Sequence, residues 1–306
     1  MQSERVAIVG AGAVGCYFGG MLARAGVPVT LIGRAAHVEA IRRDGLFIER
    51  SDFQDYVTVD AHTEIDAVAA ASIVLLAVKT VDTETAAAAV APHLRDGALL
   101  VSFQNGVDNV ERIQRATGIN AIPAVVYVAV AMSGPGRVRH GGRGDVIVGG
   151  TTPRENLERI VRVFEQAQVQ CRISNNIGGE LWTKLVMNCA YNAISAVTQS
   201  SYGPIKANPL TRDVMEQLIA EVVAVGTASR VEMPGREELT AAALKLGDAM
   251  ATATSSTAQD LARGRPTEID SLNGYVSRRG RELGIPTPVN STLYALVKLT
   301  ESTEKL

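Results

Sequence analysis

The chain is short of the residues that characterise several classes of protein. Its 306 residues include only 3 cysteines and 4 histidines, and aromatic residues make up 4%. The cysteines are odd in number and widely spaced, which excludes a disulfide framework and favours a reducing, cytoplasmic location. No apolar run is long enough for a membrane helix, and no signal-peptide pattern precedes the first predicted strand. No two histidines have the spacing of metal ligands, so we predict no metal site.

The net charge and the length narrow the possible binding partners and the number of domains. A net charge of −2 offers no basic surface for nucleic acid or for an anionic membrane. The length suggests two domains rather than one, and an apolar fraction of 46% is enough for two cores. We therefore expect a two-domain protein whose partner is a small molecule.

The first 34 residues contain the most informative pattern. A predicted strand at residues 5–9 leads into a glycine turn, a helix at 16–25 and a second strand at 27–32. This order is the dinucleotide-binding fingerprint, in which the glycines allow a sharp turn, close approach of a pyrophosphate and close packing of helix on sheet. The first helix amides then stabilise the phosphates. The predicted cofactor-binding residues of the turn are Gly10, Ala11, Gly12, Ala13, Val14 and Gly15.

The end of the second strand indicates which cofactor is bound. An NAD enzyme usually has an acidic residue there for the ribose 2′-hydroxyl, whereas this chain has Gly33 and Arg34. A guanidinium suits a 2′-phosphate, so NADPH is favoured over NADH, although Arg34 as a solvated loop charge is the alternative. Lys79, at the end of another apolar strand, could hold a cofactor phosphate, although a lysine at a strand end is more often merely solvated.

Strands and helices alternate up to residue 174, and the pattern is helical afterwards. We predict an α/β fold with an N-terminal Rossmann-type doubly wound domain at residues 1–174 and an all-α C-terminal domain at 175–306. Ligands of such sheets bind beyond the carboxyl ends of the strands, so we expect the reaction where the helical domain covers the nicotinamide. The predicted later strands are Ala71–Val78, Ala98–Phe103, Val125–Ala131, Asp145–Val148 and Val169–Ile173. The predicted later helices are Thr83–Val90, Pro153–Gln168, Gly179–Ala196, Asp213–Ser229, Arg236–Met250 and Glu268–Leu283, with a final helix beginning near Asn290.

Three polar residues share one face of a predicted apolar helix. Lys184, Asn188 and Asn192 are spaced i, i+4, i+8, which spreads them over about 80° of arc. We call these three residues the polar ridge. Buried amide and ammonium groups need partners, so the polar ridge is either a site facing the cofactor or an interhelical hydrogen-bond network. A lysine suits carbonyl reduction, because its ammonium stabilises the developing oxyanion and can then supply the proton.

Four further residues are candidates for the site. Asn105 follows a predicted strand and could contact a ligand, or it could form an Asn-Gly turn. Ser255 or Ser256 could hydrogen-bond a substrate carboxylate. Glu268 could hold a substrate hydroxyl or balance the charge of Lys184, but an acid near a helix start is also common.

Together these motifs resemble the ketopantoate reductase (2-dehydropantoate 2-reductase) family along nearly the whole chain. The matching segments are the opening GAGAVG, Val78-Lys79-Thr80, Gln104-Asn105-Gly106, Trp182-Thr183-Lys184-Leu185 with Asn188 and Asn192, Ser255-Ser256, Thr267-Glu268-Ile269-Asp270 with Asn273-Gly274, and Gly284-Ile285-Pro286-Thr287-Pro288. The resemblance implies an oxidoreductase that reduces 2-dehydropantoate to (R)-pantoate with NADPH, in pantothenate biosynthesis.

The resemblance also implies a role for each candidate. Lys184 would be the proton donor, and Arg34 and Lys79 would hold the 2′-phosphate region. Substrate contacts would come from Asn105, Asn188, Asn192, Ser256 and Glu268, with Asn105 and Glu268 also close to the cofactor.

Two positions depart from a pattern seen in some members of the family. Tyr202 and Ala253 stand where those members have asparagine, which leaves open a paralogue that reduces another 2-oxo acid. A 3-hydroxyacid dehydrogenase of the 6-phosphogluconate-dehydrogenase type is a second alternative, because such enzymes also use a lysine with an asparagine four residues later. A non-catalytic NADPH sensor is a third. The oligomeric state is undecided, and a homodimer is one option.

Overall fold

The computed structural model describes residues 4–303 and divides into two compact units between Ile177 and Gly178. The first unit contains the strands β1 (Val6–Val9), β2 (Val29–Ile32), β3 (Leu46–Glu49), β4 (Gln54–Val57), β5 (Asp60–His62), β6 (Ile73–Leu76), β7 (Leu99–Ser102), β8 (Ile122–Gly134), β9 (Arg137–Gly149) and β10 (Cys171–Ser174). Its helices are α1 (Ala13–Arg24), α2 (Ala35–Asp44), α3 (Thr83–Val90), α4 (Asn109–Thr117) and α5 (Arg154–Gln166).

A parallel sheet in the order β5-β2-β1-β6-β7-β8 forms the centre of the first unit. Strands β1 and β6 are buried along their whole length, as expected for parallel strands covered on both faces. Val9 is in register with Ile32 on one side and with Leu76 on the other, and Leu76 is in register with Ser102. The loops after β1, β2, β6 and β7 therefore leave the sheet at one edge, where ligands of doubly wound folds bind.

The sheet continues beyond the parallel core as a long antiparallel hairpin. β8 and β9 pair around the turn at Pro135 and Gly136, β3 pairs with β9, and β4 forms the edge. The sequence predicted only the apolar parts of this hairpin. The first half of β9 is rich in glycine and charge, and its register against β8 shifts at three points, so it lacks the apolar alternation that marks a strand.

The second unit is helical throughout its regular elements. They are α6 (Ile177–Thr198, which begins at the last residue of the first unit), α7 (Tyr202–Ala207), α8 (Pro209–Ala228), α9 (Arg236–Ala249), α10 (Ser256–Leu261), the 3-10 helix Ile269–Ser271, α11 (Asn273–Leu283) and α12 (Pro288–Thr303). A small apolar cluster joins four of these elements. Its buried members are Ala193 and Ala196 of α6, Ala258 and Leu261 of α10, Ile269, and Val297 of α12. Within residues 4–303, no helix combines the length and the apolar character needed to cross a membrane.

Most of the helices predicted from the sequence are confirmed to within a few residues, but one is wrong. The segment predicted as a single helix, Glu268–Leu283, is a short 3-10 helix followed by α11. Leu272 between them has φ −111° and ψ −108°, which no α-helix contains. The side chain of Thr267 also accepts a hydrogen bond from the amide of Ile269 at 3.2 Å, and such local bonds compete with helix formation.

Candidate active site

The glycine turn after β1 requires its glycines. Gly10 has φ +114°, and a Cβ there would lie 2.6 Å from the carbonyl oxygen of Ala77. A Cβ on Gly15 would lie 2.1 Å from the carbonyl oxygen of Gly10, so α1 can pack against the turn only with glycine at that position. A Cβ on Gly12 would meet no described atom within 4 Å. The open space beside Gly12, at the start of α1, is where the fingerprint places a pyrophosphate.

The end of β2 lies directly against this turn. The amides of Gly10 and Ala11 both donate to the carbonyl of Ile32 at 2.9 Å. A Cβ on Gly33 would come within 2.4 Å of the Ala11 side chain, which explains the small residue there. Arg34 follows as an exposed residue before α2. The small residues of the turn therefore fit a bound nicotinamide dinucleotide.

Lys79 and Asn105 lie in the loops after β6 and β7, and both side chains are half-buried. The register of the sheet places these loops at the same edge as the glycine turn. The carbonyl of Asn105 accepts a hydrogen bond from Asn109 Nδ2 at 2.5 Å. The register thus places the loops that carry the cofactor-binding residues predicted for the first unit at one edge of its sheet.

A buried polar network that the sequence did not reveal connects these two loops. Gln104 Nε2 donates to the carbonyl of Val78 at 3.1 Å and to Thr83 Oγ1 at 2.8 Å. Thr83 Oγ1 also lies 3.1 Å from Asn109 Oδ1. In the sequence, Gln104 was noted only as part of the motif Gln104-Asn105-Gly106, and no pattern indicated a role for Thr83 or Asn109.

The predicted ridge of α6 is present in the second unit. Lys184 and Asn188 are half-buried on the helix, and Asn192 is 3% exposed. Their i, i+4, i+8 spacing lies within one uninterrupted helix, so they share a face. Residues on the other sides, such as Leu185, Val186 and Ala190, are buried.

The two serines before and in α10 have different roles. Ser255 is 1% exposed and caps α10, because its Oγ accepts a hydrogen bond from the amide of Ala258 at 3.0 Å. Ser255 also joins α6, since its Oγ donates to the carbonyl of Asn192 at 3.2 Å and its amide donates to Ser195 Oγ at 3.2 Å. Ser256 is exposed at the first position of α10. These bonds hold Ser256 beside the Asn192 end of the ridge.

Glu268 is half-buried immediately before Ile269, which is fully buried. Ile269 belongs to the apolar cluster that also contains residues of α6 and α10. The segments that carry Asn192, Ser256 and Glu268 therefore pack around one small core. This common packing supports a shared site in the second unit for three of the predicted substrate residues.

The two positions that depart from the family pattern also lie together. The amide of Tyr202 donates to the carbonyl of Ala253 at 3.0 Å. The ring of Tyr202 stacks on Tyr191 with centroids 4.2 Å apart, and burial raises the pKa of Tyr202 to about 12. Tyr202 is thus buried, with 8% of the residue exposed.

Comparisons with known proteins identify the family. The model of the ketopantoate reductase PanE/ApbA family matches residues 6–152, and the model of its C-terminal part matches residues 176–301. The chain is 32% identical over 302 residues to a 2-dehydropantoate 2-reductase of Pyrococcus horikoshii, covering 97% of this chain and 98% of the relative. The chain belongs to the ketopantoate reductase PanE/ApbA family. The family and the oxidoreductase class expected from the sequence are confirmed.

Solved structures agree with this assignment. A PanE/ApbA family ketopantoate reductase from Ralstonia eutropha is 45% identical, with a TM-score of 0.93 over 99% of this chain and 100% of the other. A D-mandelate dehydrogenase, solved with NADH and anilino(oxo)acetate, has a TM-score of 0.93 at 23% identity, over 99% of this chain and 100% of the other. At that identity the second likeness concerns the fold alone. The predicted combination of a Rossmann-type domain and a helical domain is confirmed.

Proposed function

We propose that this ketopantoate reductase family member reduces 2-dehydropantoate to (R)-pantoate with NADPH, in pantothenate biosynthesis. The observation that carries the proposal is the polar ridge of α6, a lysine followed by two asparagines at helical spacing, in a chain of this family. When bound, NADPH supplies the hydride to the carbonyl carbon of the substrate. The residues of the chain supply binding, orientation and the proton.

Lys184 is the proposed proton donor. Its ammonium stabilises the negative charge that develops on the carbonyl oxygen and then gives that oxygen its proton. A half-buried position strengthens this interaction, because charges attract more strongly when water is partly excluded. The side-chain amides of Asn188 and Asn192 orient the substrate without adding charge, and Ser256 and Glu268 bind its carboxylate and hydroxyl ends respectively.

In the first unit, the turn Gly10–Gly15 holds the pyrophosphate against the start of α1. Arg34 and Lys79 hold the 2′-phosphate region, which favours NADPH over NADH. Asn105 contacts cofactor and substrate, and Glu268 also lies close to the nicotinamide end. These assignments, the domain roles of residues 1–174 and 175–306, and a cytoplasmic homodimer remain predictions.

A steady-state screen tests the function. NADPH oxidation is followed with ketopantoate and with other branched, linear and aromatic 2-oxo acids, and in the reverse direction with 3-hydroxy acids. We expect the highest kcat/KM with ketopantoate. NADPH binding without turnover of any acid would favour the sensor, and turnover of 3-hydroxy acids alone would favour the second alternative.

The same screen decides whether the chain is a paralogue with another substrate. The contact of Tyr202 with Ala253 and the stacking of Tyr202 on Tyr191 favour a less polar substrate end than asparagines at both positions would accept. A kcat/KM for an aryl or long-chain 2-oxo acid that exceeds the value for ketopantoate would establish that second candidate.

A further inference from the structure

The N-terminal side of the segment that carries Glu268 is attached to α12. Glu301 Oε1 accepts two hydrogen bonds from Thr267, one from the backbone amide at 2.8 Å and one from Oγ1 at 2.5 Å. The Glu301 side chain is only 13% exposed, and Thr267 is buried. The residue before Glu268 is thus fixed by a charged acceptor, and hydrogen bonds to charged groups are stronger than neutral ones.

The same helix holds the C-terminal side of the segment. Asp270 Oδ1 accepts a hydrogen bond from the hydroxyl of Tyr294 at 2.5 Å, and Asp270 Oδ2 lies 3.0 Å from Lys298 Nζ. Lys298 Nζ also lies 2.7 Å from Glu301 Oε2. One ammonium group therefore connects the carboxylates that hold the two ends of the segment.

Glu268 lies between these two attachments. Ile269, the next residue, is inserted into the apolar cluster beside Val297 of α12. The carbonyl of Glu268 accepts a hydrogen bond from the amide of Ser271 at 2.9 Å. The backbone on both sides of the Glu268 side chain is consequently fixed by packing and by hydrogen bonds.

The charges of this network are mutually stabilising. Burial disfavours the charged forms, but hydrogen bonds outweigh it, so the pKa of Glu301 is lowered by Lys298 and Thr267, and the pKa of Asp270 is lowered by Tyr294 and Lys298. The pKa of Lys298 is raised by the two carboxylates in spite of its burial. The Lys298–Asp270 pair is partly exposed, and such pairs contribute little to stability, so its main consequence for the segment is geometric.

We propose that Lys298, together with Glu301 and Tyr294, positions Glu268 for the reaction. Lys298 does so through Asp270 and Glu301, which hold the backbone from Thr267 to Asp270 in one conformation. The inference rests on the proposed function of Glu268 at the substrate hydroxyl. Lys298 itself is a positioning residue and contacts neither substrate nor cofactor in this proposal.

Hydrogen exchange tests the structural half of the inference without any substrate. In Lys298→Met, the amides of residues 267–271 are expected to exchange about 10-fold faster or more, while amides of α9 keep their rates. Lys245→Met, which removes an exposed lysine of α9, is the matched control and should leave both regions unchanged. Unchanged rates at residues 267–271, or equal acceleration throughout the second unit, would overturn the inference.

A double-mutant cycle tests the functional half. Lys298→Met should lower kcat for the best 2-oxo acid about 10-fold, because small misplacement of a substrate-orienting group is costly. It should also weaken pantoate binding to the NADP⁺ complex. In a Glu268→Gln background the same substitution should change kcat by less than about 2-fold, and Lys298→Arg should restore most of the activity in the native background.

The outcomes separate this inference from the proposed function. If the wild-type protein reduces no 2-oxo acid, the proposed function fails, and the exchange rates still decide whether Lys298 holds the segment. If Lys298→Met loses the same factor in both backgrounds, Lys298 does not act through Glu268 and the inference fails. Should Lys298→Met not fold, Tyr294→Phe removes a single hydrogen bond to Asp270 and is expected to show the same pattern with smaller changes.

Discussion

Gln104 in the loop after β7 is joined to Thr83 at the start of α3, since Gln104 Nε2 donates a hydrogen bond to Thr83 Oγ1 at 2.8 Å. Gln104 is 6% exposed and Thr83 is fully buried. Together with the hydrogen bond from Gln104 Nε2 to the carbonyl of Val78 at 3.1 Å, this bond connects the loops that carry Lys79 and Asn105. The placement of both proposed cofactor contacts thus depends on two side chains for which no cofactor contact is proposed.

Gln104→Leu is expected to weaken NADPH binding about 10-fold, because it leaves buried partners of Gln104 unpaired, at a cost of about 1–3 kcal/mol. NADPH fluorescence titration measures the Kd, and circular dichroism checks the fold. Gln114→Leu, at an exposed position of α4, is the control. Equal Kd values for the two variants would contradict the role of Gln104.

Substitutions at Gly12 and Gly15 should have different effects, one on NADPH binding and the other on the stability of the fold. Gly12→Ala places a methyl group in open space, so Tm should be unchanged while the Kd for NADPH rises, because the methyl group occupies the path of the pyrophosphate. Gly15→Ala forces a methyl group against the Gly10 carbonyl and should destabilise the fold by about 2 kcal/mol. Thermal unfolding and titration of both variants provide the comparison, and a lower Tm for Gly12→Ala than for Gly15→Ala would refute it.

Arg34→Ala should reduce the preference for the phosphorylated cofactor. Under the proposed function, the exposed guanidinium of Arg34 binds the 2′-phosphate of NADPH, a group that NADH lacks. The KM for NADPH should therefore rise about 10-fold or more while the KM for NADH changes little. Arg43→Ala, at an exposed position of α2, serves as the control. An equal loss for both cofactors would eliminate the phosphate role of Arg34.

The Glu301 carboxylate should make stability depend on pH in the acid range. Its pKa lies below the ordinary value of 4.5 because hydrogen bonds from Lys298 and Thr267 outweigh burial. A lowered pKa of Glu301 stabilises the fold at pH values above the ordinary pKa of a glutamate. This stabilisation is lost as the pH falls through the pKa that Glu301 has in the folded protein. Between about pH 5 and pH 3, the free energy of unfolding should fall more steeply for the wild type than for Glu301→Gln.

Urea unfolding at a series of pH values measures this difference. Lys298 contacts both Asp270 and Glu301, and Asp270 and Lys298 are present in both proteins, so their own contributions largely cancel in the comparison. Glu282→Gln, at an exposed position of α11, should follow the wild-type curve. Parallel curves for the wild type and Glu301→Gln would show that the carboxylate adds no acid dependence.

Local patterns explain what the sequence predicted correctly. The glycine turn, the apolar strands on either side of it and the period of α6 are all contained within short windows, so they could be recognised without knowing the fold. The ridge of Lys184, Asn188 and Asn192 follows from helical spacing alone. The parallel order of the sheet then places Arg34, Lys79 and Asn105 at one edge.

Contacts between distant residues explain what the sequence did not predict. Gln104 and Thr83 are 21 positions apart, and Thr267 and Glu301 are 34 apart, so no periodic pattern links either pair. Those bonds determine where Asn105 and Glu268 are held. The helix predicted from Glu268 onwards is wrong for a related reason, because Thr267, Ile269 and Asp270 form tertiary contacts that a continuous helix does not provide.

The most direct test of the account is single-turnover and steady-state reduction of ketopantoate by the wild type and by Lys184→Ala. Loss of a general acid predicts a kcat about 100-fold lower or more, with a Kd for NADPH that stays within about 2-fold. Lys245→Ala should behave like the wild type. A Lys184→Ala variant that reduces ketopantoate at the wild-type rate would contradict the assignment of Lys184 as proton donor.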